Sequence, residues 1–463
     1  MTQRTRRHLI GACALSGLAL QAHASGFLLV EQGASGLGNA YAGAAAAARD
    51  GSTVWTNPAG MSELPGREIA AAFHVLATDT DWNDRGTSLN AAFGGGPVPG
   101  PDDASAGTTS VLPNLYYSAP LGERWHYGLA VAAPFGSATE YDDGWKGRYA
   151  SLESGIRVID VNPALAYRVS ERVRLGAGLS VQRLSAELSS AIDSSAVCFG
   201  TVGTVEPGVC AAAGLGRFGD AASDSVGEIS GDSVAVTFNV GALFLPREGT
   251  RIGLAYRHGS SHELDGDGDF TADEALRAVL DASGAPLESF LTDTGARAEL
   301  DLPATFSVSL AQALGERWEL LADVTWAGWS SFEELRVRYD NPVQPDTLSL
   351  QEWEDVFRYS AGVNFSPNAR LVLRAGVAFD EEAIPGPGRR TPRIPGNDRT
   401  WLSLGAGYDV TSRLTLDVGY SHLFLDETPI DNDGAESAGA TTVRGVYDSR
   451  VDIFSAQLGW HFD

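Results

Sequence analysis

Along much of the chain, apolar residues recur at every second position. From Trp318 one parity reads Trp318, Leu320, Ala322, Val324 and Trp326, while Glu319, Asp323 and Thr325 occupy the other, with Leu321 as the exception. Just upstream, Phe306, Val308 and Leu310 alternate with Thr305, Ser307 and Ser309, ahead of the short turn Gly315-Glu316-Arg317. Rows of the same kind run through 371–379, 402–410, 414–420 and 454–462. Such rows predict strands, because successive strand side chains point to opposite faces. Aromatic residues close several of the apolar rows, and the opposite parity carries glycine and charge. A bilayer-crossing strand has this form: apolar toward lipid, polar toward a wet lumen, aromatic at the interfaces. A secreted β-sandwich also alternates, but its dry interior does not accept charges without partners. The predicted fold is therefore all-β, a transmembrane antiparallel β-barrel.

Connection lengths support it. Ser170-Glu171-Arg172 and Thr411-Ser412-Arg413 are short turns, whereas the segments near 190–230 and 260–300 are long. Bacterial barrels have short periplasmic turns and long extracellular loops. In the second long loop, Thr271-Ala272-Asp273-Glu274 has the form of a capping box, and Ala275, Leu276, Val279 and Leu280 then share one helical face. That face either packs on the barrel rim or receives a hydrophobic ligand. Residues 25–66 lack alternation and are rich in Gly and Ala, which suits an N-terminal hatch plugging the lumen. The barrel then spans 67–463, and at about 28 residues per strand and connection it has about 14 strands.

Residues 1–24 read as a signal peptide: Arg4, Arg6 and Arg7, an apolar run over 9–20, and Ala22-His23-Ala24 before the cleavage point. Export leaves Cys198 and Cys210, and an oxidising compartment favours their pairing. A disulfide there closes a short loop and contributes about 3 kcal/mol in the chain-entropy model. Gly200, Gly203, Pro207 and Gly208 between them suit a surface loop.

Composition narrows the function classes. A net charge of -26 opposes nucleic-acid binding. A mean hydropathy of -0.08, with no apolar run past the N-terminus long enough to span, excludes a bundle of membrane helices. Gly214-Leu215-Gly216-Arg217-Phe218-Gly219 follows no strand and is a chance match to a dinucleotide fingerprint. Asp265, Asp267 and Asp269 lack the Gly and Glu of a full EF-hand, since Phe270 and Leu276 stand in those positions. No metal and no cofactor are expected.

The order and spacing of several motifs resemble the FadL family of outer-membrane transporters (the OmpP1/FadL/TodX type), which carry long-chain fatty acids and other hydrophobic compounds. The motifs are Gly26-Phe27-Leu28-Leu29, then 35–43 (SGLGNAYAG), then Asn57-Pro58-Ala59-Gly60-Met61. They continue through 136–141 (GSATEY), 326–332 (WAGWSSF), 376–380 (GVAFD) and 393–399 (RIPGNDR). The resemblance covers nearly all of the exported chain, except the loops near 85–110 and 190–230. The chain departs from the usual aromatic end of such barrels, because Phe462 is followed by Asp463.

The resemblance implies a 14-stranded barrel, a hatch carrying Gly26 and Asn57-Pro58-Ala59, and a lateral exit at an inward kink of the third strand. The kink falls at Pro134, Phe135 and Gly136, with Asn57-Pro58-Ala59 beside it. Independently, Pro134 cannot donate to a ladder and Gly136 packs nothing, so pairing should break there. The implied ligand-binding residues are Arg336, Arg399, Arg183, Phe27 and Trp401. Arg336 is assigned to the lumen as the parity opposite to Leu335, Val337 and Tyr339. Arg399 shares parity with Trp401, and Arg183 is offset by two positions from a family arginine. Arginine suits a carboxylate, so the expected function is passive, hatch-gated uptake of long-chain fatty acids. The expected surroundings are outer-membrane lipid and lipopolysaccharide, around a monomer. The alternatives are a channel for uncharged hydrocarbons, a passive porin, or an outer-membrane lipid hydrolase or acyltransferase using Ser260 and His262.

Overall fold

The computed structural model describes residues 26–204, 206, 208–283, 291–434 and 441–462. The expected signal peptide, residue 25, Pro207, part of the 260–300 loop and Asp463 lie outside the described residues.

The chain closes into an antiparallel barrel of 14 strands. The first six are β1 (Arg67–Asp84), β2 (Thr109–Leu121), β3 (Trp125–Glu140), β4 (Glu153–Arg168), β5 (Val173–Ile192) and β6 (Ser225–Arg247). The next four are each built of two segments: β7 (Thr250–Arg257, Ser260–Thr271), β8 (Thr294–Leu302, Thr305–Leu314), β9 (Trp318–Ala327, Glu334–Tyr339) and β10 (Thr347–Leu350, Val356–Asn368). The last are β11 (Leu371–Asp380), β12 (Arg399–Asp409), β13 (Leu414–Leu425, continued by Thr428–Asn432) and β14 (Thr441–Phe462). β1 pairs with β14 from Arg67↔Phe462 to Asp84↔Gly445, so the sheet has no free edge there.

The alternating rows face outward. Leu320, Val324, Val377, Leu402, Leu404 and Phe454 are all exposed on the bare barrel, as lipid-facing residues must be. Near the short turns, Trp125 meets Tyr167 at 4.6 Å and Trp318 meets Phe365 at 4.4 Å, forming a lower aromatic girdle. Leu321, the exception to its row, turns inward and packs on Ala42 and Ala46 of the hatch.

Toward the long loops the alternation changes sign. On β4, Ile159 and Val161 face out, but one step higher Val158 is buried inside and Arg157 faces out. On β5, Leu179 and Val181 give way to outward Arg183 and inward Leu184. On β8, Leu300 points in between outward Glu299 and Asp301, and the same holds for Leu264 on β7. Below the change the wall meets lipid; above it the wall meets water and encloses a greasy lumen.

Residues 26–66 fill the lumen. They fold as short helices α1 (Ala34–Leu37), α2 (Ala44–Ala47) and α3 (Thr53–Thr56), followed by a 3-10 stretch over Pro58–Glu63. Polar wall residues meet hatch backbone: Gln457 Oε1 accepts from Ala34 N, Ser309 Oγ from Ala45 N and Glu68 Oε1 from Gly51 N. Gly376 on β11 lets the hatch backbone at Asn39 lie directly on the wall, where any side chain would collide.

At the long-loop end of the barrel α4 (Ser194–Thr201) and α5 (Val209–Ala212) are joined by the Cys198–Cys210 disulfide. α6 (Glu274–Ser283) buries Leu276, Val279 and Leu280 against that bridged loop. Of its two expected roles, packing is the one its apolar face performs. Its cap is Asp273, whose carboxylate accepts from Ala275 N and Leu276 N, in place of the expected Thr271.

Leu404 sits midway along β12 on the lipid face and is 56% exposed. Leu404→Arg is expected to destabilise the barrel by about 2–4 kcal/mol, the cost of a cation at mid-bilayer depth. Arg297→Leu, on the water-facing upper row, should change it by less than about 0.5 kcal/mol. Denaturant titration during folding into vesicles measures both.

Candidate functional site

β3 leaves the ladder on one side. It pairs with β2 only from Leu121↔Trp125 to Leu115↔Val131, so Ala132–Glu140 has no β2 partner and Thr109–Asn114 has no β3 partner. Against β4, Ala133 and Pro134 together oppose Ile159, a bulge between Ala132 and Phe135. The break lies where Pro134 removes a donor.

The hatch repairs it. Leu29 N donates to Pro134 O at 2.8 Å, and Gly136 N donates to Phe27 O at 3.0 Å, an antiparallel bridge centred on Leu28↔Phe135. Asn114 on the abandoned edge of β2 donates to Glu31 O at 2.7 Å and accepts from Ala133 N at 3.3 Å. Tyr116 donates to Gln32 O at 2.7 Å. The segment beside the kink is therefore 27–32. Asn57-Pro58-Ala59, expected there, packs instead on β5 and β6: Asn57 Nδ2 donates to Ala242 O at 3.1 Å and to Ala45 O at 2.6 Å. Only Pro58 of that motif lines the same cavity as Pro134.

Phe27 stands at the centre of an aromatic knot. Its ring lies 4.8 Å from Trp329, 5.9 Å from Trp353, 6.1 Å from Phe135 and 6.2 Å from Phe332. Above the knot, an apolar cavity is lined by Ile156, Ala186, Leu264, Leu300 and Leu335. It shares Leu335, Val337 and Arg393 with a wider groove of about 380 Å³ opening among the loops, walled by Ile192, Phe270 and Tyr339. Below the knot, a cavity of about 130 Å³ lies between the hatch and the wall, lined by Leu28, Tyr41, Trp55, Pro134 and Phe135.

Cations meet the lower cavity. Arg358 and Arg399 clamp one carboxylate: Arg358 Nε lies 2.8 Å from Asp380 Oδ1, and Arg399 Nε 2.9 Å from Asp380 Oδ2. Trp401 Nε1 donates to the same Asp380 at 2.9 Å, and both guanidinium groups lie over its indole, at 5.1 and 5.5 Å. Arg358 also donates to Ala40 O of the hatch. Arg257 lies 3.4 Å over the Trp55 ring and donates to Trp55 O. Glu31 of the hatch is 2% exposed, and its Oε2 has no hydrogen-bond partner. Burial pushes this carboxyl above the usual range, with Arg399 and Arg358 pulling it back.

Of the expected ligand residues, the structure brings Arg399 and Trp401 together on Asp380, while Phe27 stands apart in the aromatic knot. Arg336 is a correction. It faces away from the cavity and pairs with Glu334 at 2.8 Å and Asp346 at 3.4 Å, while Leu335 and Val337 line the inside. The expectation assumed apolar residues face out, which fails above the membrane. Arg183, placed by resemblance alone, is also a correction: it is outward on the parity of Leu179 and Val181, 65% exposed, and 3.2 Å from Asp232. Arg358 and Arg257 were missed. Both fall on inward parities, Arg358 with Ser360 and Arg257 with Ala255. Ser260 and His262 each meet Gln182, at 2.7 and 3.4 Å, so the serine hydroxyl is spent on an amide. Among the described residues no cluster of three or more metal-ligating side chains occurs.

The model of the family described as outer membrane protein transport protein (OMPP1/FadL/TodX) matches residues 15–462. The chain is 24% identical to a long-chain fatty acid transport protein of Escherichia coli O6:H1, over 97% of each chain. It is 28% identical to outer membrane protein P1 of Haemophilus influenzae, over 95% of this chain and 96% of that one. Among solved structures it is similar to a Pseudomonas aeruginosa FadL homologue, with a TM-score of 0.82, 25% identity, and 94% of this chain and 100% of that chain covered.

Gly26 has φ +62, and a Cβ there would stand 2.6 Å from the Trp329 ring. Gly26→Val is expected to expel Phe27 from the knot and raise ion conductance in planar bilayers several-fold over the wild type. Unchanged conductance would mean that the knot does not seal the lumen.

Proposed function

The chain belongs to the OMPP1/FadL/TodX family of outer-membrane transport proteins, and on that premise we propose that it takes up long-chain fatty acids by passive, hatch-gated diffusion with lateral exit at the β3 kink. At the coarser level it is an outer-membrane transporter of hydrophobic compounds. Fatty acid as the ligand is supported by the Escherichia coli relative, a long-chain fatty acid transport protein. It rests chiefly on one observation: a file of apolar cavities leads down to buried arginines around Asp380.

An acyl chain suits the apolar lining, and its carboxylate suits Arg358 and Arg399 through charge-assisted bonds. Glu31 and Asp380 hold those cations in the absence of ligand. An incoming carboxylate exchanges one acid for another, so no buried cation is stranded on the way. Loss of Glu31 from this set loosens 27–32, the segment whose backbone closes the kink. The ligand then leaves sideways into lipid, driven by its gradient, from a monomer surrounded by lipid and lipopolysaccharide.

The test is uptake of labelled oleate and labelled toluene in cells lacking their own transporter. Arg358→Gln/Arg399→Gln, with Asp380→Asn added to relieve the carboxylate they clamp, is expected to lower oleate uptake about tenfold, the effect of roughly 1.4 kcal/mol, and toluene uptake less than twofold. Equal loss of both, or of neither, would sink the carboxylate assignment.

A further inference from the structure

A second strand leaves the ladder, at the same row as the kink. Against β6, β7 pairs up to Asn239↔Arg257, makes one further backbone bond, His258 N to Phe238 O at 2.9 Å, and resumes its register only at Asp232↔Asp265. Between these pairs Ser260 and His262 swing into the lumen, reaching over β6 to Gln182 on β5. His262 is fully buried. Across the gap, Thr237 Oγ1 donates to His258 O at 2.9 Å and Gly259 O at 3.0 Å, a side chain standing in for ladder bonds. The row coincides with the kink through the registers Ala132↔Asp160, Asp160↔Gln182 and Gln182↔Ala235.

Outside this gap lies a recess of about 560 Å³, lined by Arg183, Asp232, Val234, Ser261, Glu263 and Asp265. Inside it lies the lower cavity, whose lining includes Gln182, Asn239, His258 and Ser260 as well as Pro134 and Phe135. One cavity thus reaches both breaks in the wall. Val234 and Val236, each 68% exposed, border the recess on the lipid side, beneath outward Asp232 and Arg183. The recess therefore straddles the outer edge of the hydrocarbon layer.

Resting on the reading of the lumen as a passage for hydrophobic compounds, we infer that the β6–β7 gap is a second lateral portal, for uncharged apolar molecules. The lip selects against carboxylates. Its arginines are already engaged, Arg183 with Asp232 at 3.2 Å and Arg297 with Asp265 at 3.1 Å, and Glu263 adds a further negative charge. The gate is small: one backbone bond, His258 N to Phe238 O, the Thr237 hydroxyl, and the Gln182 contacts to Ser260 and His262 cross it. A neutral molecule in the lower cavity meets no cation it must leave, so it can exit here while a carboxylate stays at the arginines.

The experiment plugs the recess from outside. Ser261→Cys is labelled on intact cells with a bulky, membrane-impermeant maleimide, after the barrel has assembled; Cys198 and Cys210 are bonded to each other and do not react. Val234→Trp/Ser261→Trp fills the recess without labelling. Labelled toluene and labelled oleate are the probes. Plugging is expected to lower toluene uptake at least fivefold and oleate uptake less than twofold. Toluene uptake that is unchanged by the label, that falls only in step with oleate, or that is absent from the wild type overturns the portal. Absence of oleate uptake by the wild type instead contradicts the fatty-acid reading, while the toluene comparison still decides the portal.

Discussion

A strand that leaves its neighbour inside a membrane exposes backbone N–H and C=O groups where water cannot reach them, at several kcal/mol for each unsatisfied group. β3 does this at Pro134, and the structure survives because the hatch supplies the missing partners: Leu29 N for Pro134 O, and Phe27 O for Gly136 N. The hatch is thus a borrowed strand as well as a plug. The pair of hydrogen bonds that closes the wall is also part of what attaches the hatch to it. Whatever moves 27–32 also exposes the kink.

The second organising fact is the change of sign in the alternation. Within the lipid the wall is apolar outside and polar inside, and the polar inside hydrogen-bonds the hatch. Above the lipid, Val158, Leu184, Leu264 and Leu300 turn inward while Arg157, Arg183 and Glu263 turn outward. Nothing in the strand geometry changes; only the solvent outside does. The result is a greasy funnel standing in water above a polar, plugged lumen. Its floor is the Phe27 aromatic knot and, below that, the arginines around Asp380.

Much of this was legible in the sequence, for physical reasons. Lipid imposes a strict apolar parity, so rows such as 318–326 and 402–410 identify the strands and their outer face. Pro134 announces the break because it has no N–H to give. The inward parity of Arg399 and Trp401 was readable because their row lies within the membrane zone. Arg336 was misread because a rule that holds in lipid was carried above it, where apolar Leu335 and Val337 face the cavity; Arg183 was placed by resemblance, against the outward parity of its own row, Leu179 and Val181. Arg358 was overlooked because its significance comes from Asp380 on the next strand, a pairing that register alone reveals. The β6–β7 gap has no proline to mark it; Gly259 and inward Ser260 are ordinary residues until the missing ladder is seen.

The central claim is that passage requires the hatch to let go of the kink. Leu28 and Phe135 are directly opposed in the bridge between them, a spacing suited to a disulfide. The most direct measurement is oleate uptake by Leu28→Cys/Phe135→Cys, oxidised and then reduced, beside a wild type treated identically. The oxidised form is expected to lose uptake at least tenfold and to recover on reduction, with little change in the wild type. Wild-type uptake by the fully cross-linked protein would contradict it.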